Sequence, residues 1–398
     1  MKCPLHESIE VTSTGFLLEP LPDTIRRLHE EPVRKARFPN GVEAWLVSGY
    51  GYYRTVLNDP RFTTRAKGVP PGLWMIDSGA TNIPGDFVHM DGEEHQHYRR
   101  KLTKEFLPKR IADLRPRIQE IVDEHLDDVA RGPAPVDLVP TFTLAVPSLV
   151  IAELLGVPRE HRALFQDAAK AILDKSATAD DALQAYIQVA EILADVFDAR
   201  AGEPRDDTIS RLIHEHADLT RAELTTICLA LLVAGHVTTA NLSDFAIVHL
   251  LRHPEQLAKF IEHPEKAPQV VDEILRYSLA LTGPSGPARQ ALEDVEVGGQ
   301  LIRAGEWIVA SAAAANVDPA LCPRPERLDV DRAQVPHATF GYGPHVCLGQ
   351  SLARAEMEIM LVSLFSRFPQ LRLAVPVEDL PFEAEAIFPG FSALPVAW

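Results

Sequence analysis

Cysteine is scarce in this chain, basic residues are outnumbered, and no long apolar run exists. Its 398 residues include four cysteines, Cys3, Cys228, Cys322 and Cys347. None stands in a CxxC pair or at a zinc-like spacing, which excludes a disulfide framework and a sequence-evident zinc site. A reducing, cytoplasmic setting is therefore expected. The first residues, with Lys2, His6 and Glu7, lack an apolar core of signal-peptide length. No apolar run approaches the roughly 18 residues that span a bilayer, so no membrane association is expected. The net charge of −17 argues against nucleic-acid binding. Linker-like runs and composition breaks are also missing. Length alone suggests about two or three domains. The even composition instead predicts one compact unit over 1–398, with a hydrophobic fraction of 46% to fill its core.

What is present centres on Phe340-Gly-Tyr-Gly-Pro-His-Val-Cys-Leu-Gly349. Cys347 sits in a glycine-rich loop. Leu348, Leu352, Ala355, Ile359 and Val362 follow at helical spacing. The sulfur is thus placed at or just before a helix N-terminus, where unpaired N–H groups and the macrodipole favour a thiolate. Gly341, Gly343 and Gly349 permit tight turning and leave the sulfur side open to something large and flat. The residues alone leave two readings, a thiolate ligand or a buried cysteine beside a turn.

The pattern Phe-x-x-Gly-x-x-x-Cys-x-Gly resembles the haem-ligand loop of the cytochromes P-450. The resemblance extends from about Tyr50 to Trp398. It implies a mainly α fold with a small β-rich region and one haem b, iron protoporphyrin IX. Cys347 would be the axial ligand of the iron, with Phe340, Gly341 and Gly349 lining its loop and His345 donating to a haem propionate.

Along the chain, Phe38–Val47 reads as a hairpin turning at Asn40-Gly41, and Tyr50 to Asn58 as a short helix. Residues 63–87 are rich in Gly and Pro, with apolar Leu73, Trp74, Met75 and Ile76. Loops this long in a compact domain are usually functional or disordered. Either the loop covers a ligand, as the resemblance implies, or Trp74 anchors it to the core. Asp91 opens the next helix, on which His95 and Arg99 share a face. The family's His-x-x-x-Arg pair holds haem propionates. Arg99, Arg100, Lys101, Lys104, Lys109 and Arg110 form a basic cluster in an acidic chain. It is either a solvated helix face or, as the resemblance implies, the docking face of an acidic iron–sulfur protein. His214-Glu-His216 reads as a polar stretch before a helix.

Thr220-Arg-Ala-Glu223 is a capping box, and no proline interrupts before Pro254. A helix of about 32 residues, roughly 48 Å long, is predicted. Its middle is apolar on every side and therefore buried. Ala234-Gly-His-Val-Thr-Thr239 follows, a locally costly sequence for a buried helix. It marks either a merely kinked core helix or a functional site. The resemblance implies that Ala234 and Gly235 face the haem and that Thr238 faces dioxygen and relays protons. The family usually carries an acid before this threonine, and here the residue is Val237. Protons are then expected through water held by Thr238 and Asn241, or from the substrate.

Glu273 and Arg276 lie three apart on a helix predicted after Pro268. By themselves they could be an exposed ion pair. By resemblance they pair with an arginine in a later loop, Arg327, and brace the cysteine loop. Arg289 is implied on a haem propionate. The resemblance places Trp74, Ile76, Leu231, Pro284, Ser285, Ile387 and Phe388 near substrate, and makes Phe388 to Trp398 the final hairpin. In Asn316-Val-Asp-Pro319, Val317 replaces the family's usual arginine.

The resemblance thus implies a monooxygenase that inserts one oxygen atom from O2, by hydroxylation or epoxidation, into a bulky organic molecule. A secondary metabolite is expected, free or tethered to a carrier protein. Electrons would come from NAD(P)H through ferredoxin reductase and ferredoxin, since no flavin or iron–sulfur segment is fused. A monomer is expected. Two alternatives are a haem-thiolate enzyme that uses peroxide or rearranges its substrate, and a haem-thiolate sensor.

Overall fold

The computed structural model describes residues 9–10, 29–38, 41–65, 83–162, 164, 179–279, 286–383 and 388–398. Contacts among them define two compact units. One draws on residues up to Thr81, on His89–Glu93 and on Gln269–Cys347; the other on Asn82–Val88, Glu94–Pro268 and Leu348–Trp398.

The first unit holds a six-stranded sheet. Its strand order is Ile9–Glu10, Val33–Arg37, Glu43–Val47, Trp307–Ala310, Ala288–Ala291, Phe62–Thr63. The expected hairpin forms, with Val33 opposite Val47 in antiparallel register and Gly41 at φ +76°; Asn40 lies outside the described residues. Side chains alternate across the sheet with period two. Trp45, Val47, Ile308 and Ala310 pack in one cluster, and Ala44, Leu46 and Val309 in another. The helix Tyr50–Asn58 adds Tyr53, Val56 and Leu57 to the first cluster. Each fully buried aliphatic side chain of this size contributes about 1.5–3 kcal/mol. The strands around Gly298-Gly299 form a ribbon, Val295–Val297 against Gln300–Ile302.

The second unit is helical. Arg221–Arg252 runs for 32 residues behind the expected capping box, with Thr220 N–H donating to Glu223 Oε2 at 2.7 Å. Its buried residues surround the axis, and it packs against Ala145–Leu155, Ala179–Gly202 and Gln350–Arg367. Among the described residues it is the one helix long and apolar enough to cross a membrane, and that packing makes it a core helix. Gln350–Arg367 also packs on Pro108–Arg131.

Two local expectations change. The last hairpin starts earlier, with Phe382–Glu383 pairing Gly390–Phe391, while Pro395–Ala397 pairs both Arg372–Leu373 and Val136–Asp137. The apolar tail thus feeds two small sheets. His214 and Glu215 end the helix Thr208–Glu215, where His214 Nε2 bonds the Arg200 carbonyl at 2.9 Å.

Candidate active site

In the first unit the Cys347 loop is a set of tight turns. Gly341 and Gly343 have φ of +76° and +73°, a region that favours glycine. A side chain at Gly343 would also meet the Leu57 carbonyl at 2.7 Å. Cys347 N–H donates to the Phe340 carbonyl at 2.7 Å, closing the loop. The thiol is free of any disulfide and half-buried. The helix Gln350–Arg367 follows, capped by Gly349, so the sulfur stands just before a helix N-terminus as expected.

Arg289, in the same unit, is only 5% exposed. Among the described residues its one hydrogen bond goes from Nη1 to the Ala288 carbonyl at 2.8 Å. Burial pulls its pKa down to about 10, against the opposing charges of Asp91 and Tyr53. A buried guanidinium with most of its donors unused fits an incoming carboxylate. His345 Nε2 lies 3.7 Å from Asp91 Oδ1. Asp91 also accepts from Thr63 Oγ1, and from Thr64 Oγ1 at 2.9 Å. Burial pushes the Asp91 carboxyl up. The hydrogen bonds from His345, Thr63 and Thr64 together outweigh that and hold it well below the usual carboxylate range. Asp91 and Tyr53 were not read from the sequence as site residues, because only the fold brings the sheet, the helix start and the loop together.

The brace behind the loop is buried. Glu273 and Arg276 form two hydrogen bonds of 2.8 Å. Arg276 also donates to the carbonyls of Asn316, Pro325 and Arg327. One expectation is corrected here. The second arginine on Glu273 is Arg332, Nε to Oε1 at 3.0 Å. The Arg327 side chain is 67% exposed and points to Glu326, so this residue contributes only its carbonyl. Asn316 receives the Ala338 N–H at 2.6 Å and donates to Thr339 Oγ1, linking the brace to the strand of residues entering the cysteine loop. Val317 is 3% exposed, which suits an aliphatic side chain.

In the second unit the Arg221–Arg252 helix is buried around its middle except along one stripe. Ala234 is exposed, and Val237, Thr238 and Asn241 are half-buried, while Leu231 is buried at the end of the stripe. Such an accessible stripe on a core helix fits a surface that faces a ligand. Thr238 Oγ1 donates back to the Ala234 carbonyl at 2.6 Å. What comes close at Gly235 is Ile151, which a Cβ would meet at 3.1 Å. The missing side chain therefore serves helix packing against Ile151. Asn241 Nδ2 donates to the carbonyls of Phe388 and Pro389, at 2.9 and 3.0 Å. That takes the amide nitrogen out of the water-ordering role expected for it. His95 is 2% exposed and Arg99 half-buried on the helix Gly92–Thr103. In the basic cluster, Lys101 pairs with Asp218 at 2.6 Å, Arg110 with Asp206 at 3.0 Å and Lys104 with Glu215 at 3.7 Å. Arg100 and Lys109 are exposed, as is Leu107 at 47%. Trp74, Ile76, Pro284, Ser285 and Ile387 lie outside the described residues.

The sequence profile of the family Cytochrome P450 matches residues 164–267 and 259–373. Cytochrome P450-SU2 of Streptomyces griseolus is 38% identical over 387 residues, covering 96% of this chain and 95% of that one. Nocardicin C N-oxygenase of Nocardia uniformis subsp. tsuyamanensis is 40% identical and covers 93% of each chain. The crystal structure of CYP105P1 in complex with filipin I superposes with a TM-score of 0.89 at 41% identity, over 98% of this chain and 99% of that one. With the cysteine loop, the buried cation and the accessible helix stripe in place, this breadth of similarity establishes that the chain belongs to the cytochrome P450 family and is a haem-thiolate monooxygenase of the bacterial CYP105 type.

Proposed function

We propose that the whole chain, 1–398, works as one catalytic domain that inserts one oxygen atom from O2 into a bulky secondary metabolite, by hydroxylation or epoxidation. The observation that carries this is a half-buried Cys347, free of any disulfide, in its glycine-turned loop, together with a buried Arg289 whose one hydrogen bond among the described residues goes to Ala288. When bound, haem b supplies the reductive activation of dioxygen. Cys347 supplies the thiolate, and Arg289, His345, His95 and Arg99 hold the propionates. Phe340, Gly341 and Gly349 would shape the thiolate loop, and the small, exposed side chain of Ala234 would leave room for the cofactor. Glu273, Arg276 and Arg332 keep the brace rigid, since a buried ionic network fixes geometry more than it adds stability.

Thr238 moves the proton. Its hydroxyl donates to the Ala234 carbonyl, and must turn from that bond to donate toward dioxygen. With Val237 in the acid's place, refilling falls to water or to a substrate hydroxyl. Leu231 and Phe388, with Trp74, Ile76, Pro284, Ser285 and Ile387, contact substrate. Nocardicin C and filipin I mark the relatives' chemistry, and neither name includes a carrier protein. We therefore take a free small molecule as the substrate. The exposed Arg100, Lys109 and Leu107 receive an acidic ferredoxin, with NAD(P)H electrons delivered through its reductase, in the cytoplasm and with this chain a monomer. Complementary charge there speeds encounter more than it tightens binding.

The test is the absorption of the reduced, carbon monoxide-treated protein. A red-shifted thiolate band is expected in the wild type and its loss in Cys347→Ser. A wild type without that band overturns the reading. Label from 18O2 in the product then separates oxygenation from rearrangement. Val237 favours a second reading, a peroxide-driven enzyme, and turnover with peroxide but none with ferredoxin would select it.

A further inference from the structure

We infer that Asn241 is a positioning residue for substrate, tying the Phe388 loop to the Thr238 helix so that the two move as one body. The inference rests on the monooxygenase reading above and concerns only the second unit. Both N–H donors of the Asn241 amide are used, on the Phe388 and Pro389 carbonyls. The next residue is pressed onto the same amide. A Cβ at Gly390 would stand 2.4 Å from Asn241 Cγ and 2.5 Å from Nδ2 and Oδ1. A second anchor lies one turn further along the helix. Phe245, 2% exposed, packs against Phe391 and Phe382, with ring centroids 5.7 and 6.2 Å away. Thr238, Asn241 and Phe245 follow the i, i+3, i+7 rule and share one helix face.

This gives a role to the carboxamide that stands on the accessible stripe of this core helix. The carbonyls of residues 388 and 389 lie before the strand Gly390–Phe391, whose ladder partner is Phe382–Glu383. A half-buried carbonyl without a partner is costly, and one amide answers two of them. The tether sets how far Phe388 stands from Thr238, and so sets how a substrate is presented.

The probes are imidazole, which needs the iron alone, and 4-phenylimidazole, which also needs the pocket wall. Both are titrated by haem absorbance into the holoprotein. Asn241→Ala is expected to weaken 4-phenylimidazole by about fivefold to tenfold, the scale of one or two neutral hydrogen bonds, with imidazole unchanged. Asn241→Asp fills the same volume but offers no donor, and should weaken it as much. Gly390→Ala should do the same in the wild type yet add nothing to Asn241→Ala, because the clash partner is gone. Amide exchange of the 388–392 peptide should quicken in all three single variants. Unchanged selectivity between the two probes in Asn241→Ala, wild-type behaviour of Asn241→Asp, or additivity with Gly390→Ala would each overturn the tether. A missing thiolate band in the wild type would instead overturn the monooxygenase reading. The exchange measurement still decides the tether in that case.

Discussion

Arg332 Nε donates to Glu273 Oε1 at 3.0 Å, and Asp329 N–H donates to the same oxygen at 3.0 Å. The Arg332 side chain is 9% exposed and that of Glu273 3%. The guanidinium also reaches the carbonyls of Pro323, Arg324 and Arg327. Removing one member of a buried ionic network leaves the others uncompensated, at a cost of about 3 kcal/mol. Arg332→Ala should lower stability by that amount in urea unfolding. Arg327→Ala, at an exposed position, should stay within about 0.5 kcal/mol of the wild type. The reverse ranking would restore Arg327 as the network's arginine.

Arg289 gives a test of cofactor retention. Its charge is buried, with the Ala288 carbonyl as its one acceptor among the described residues. Arg289→Met keeps the bulk and removes the donors. A charged hydrogen bond contributes about 1.5–3 kcal/mol. Haem transfer to an apo-globin acceptor should therefore quicken by roughly tenfold to a hundredfold. The apoprotein should be no less stable, because a buried cation is costly until an anion meets it. A less stable apoprotein with unchanged haem transfer would make Arg289 a structural residue.

Local signals in the sequence were reliable where local chemistry decides the outcome. The Thr220–Glu223 capping box and Pro254 bracket the long helix, and the glycine-rich run ending at Gly349 places Cys347 before its helix. Gly41 sits at φ +76° between the paired strands, as the sequence expected of its turn. What escaped was set by distance along the chain. Arg327 and Arg332 are five residues apart in one irregular segment, and only its path through space decides which side chain turns inward. Asp91 looked like a helix start, and its bonds to Thr63, Thr64 and His345 come from two segments far from it in the chain. Gly235 carried the right signal, a close approach, but sequence could not say that Ile151 is what approaches.

Asp91 predicts part of the acid sensitivity. Its folded pKa is depressed below the ordinary 3.8, because hydrogen bonds from His345, Thr63 and Thr64 together exceed the cost of burial. A carboxyl with a depressed folded pKa contributes stability above its unfolded pKa and loses it as pH falls through the folded one. Asp91→Asn should therefore be less stable than wild type at pH 6–7, with the gap in melting temperature closing below about pH 4. A gap that persists unchanged to about pH 2 would mean that shape rather than charge matters at this position.

Glu356 has the opposite sign. It is 1% exposed on the helix Gln350–Arg367, and its Oε2 has no hydrogen-bond partner among the described residues. Burial alone drives its pKa well above the ordinary 4.5. A raised folded pKa gives a contribution that is full below the unfolded value and is lost as pH climbs through the folded one. Glutamine imitates the protonated acid, with an amide where the acid has its O–H. Glu356→Gln should thus match wild type near pH 4 and become the more stable protein as pH rises to 7 and 8, read as melting temperature across that range. The same helix follows the Cys347 loop, so the thiolate band with carbon monoxide should be unchanged at pH 7 if the acid is already neutral there. A variant less stable than wild type at every pH would show that Glu356 is ionised and paired in the folded chain.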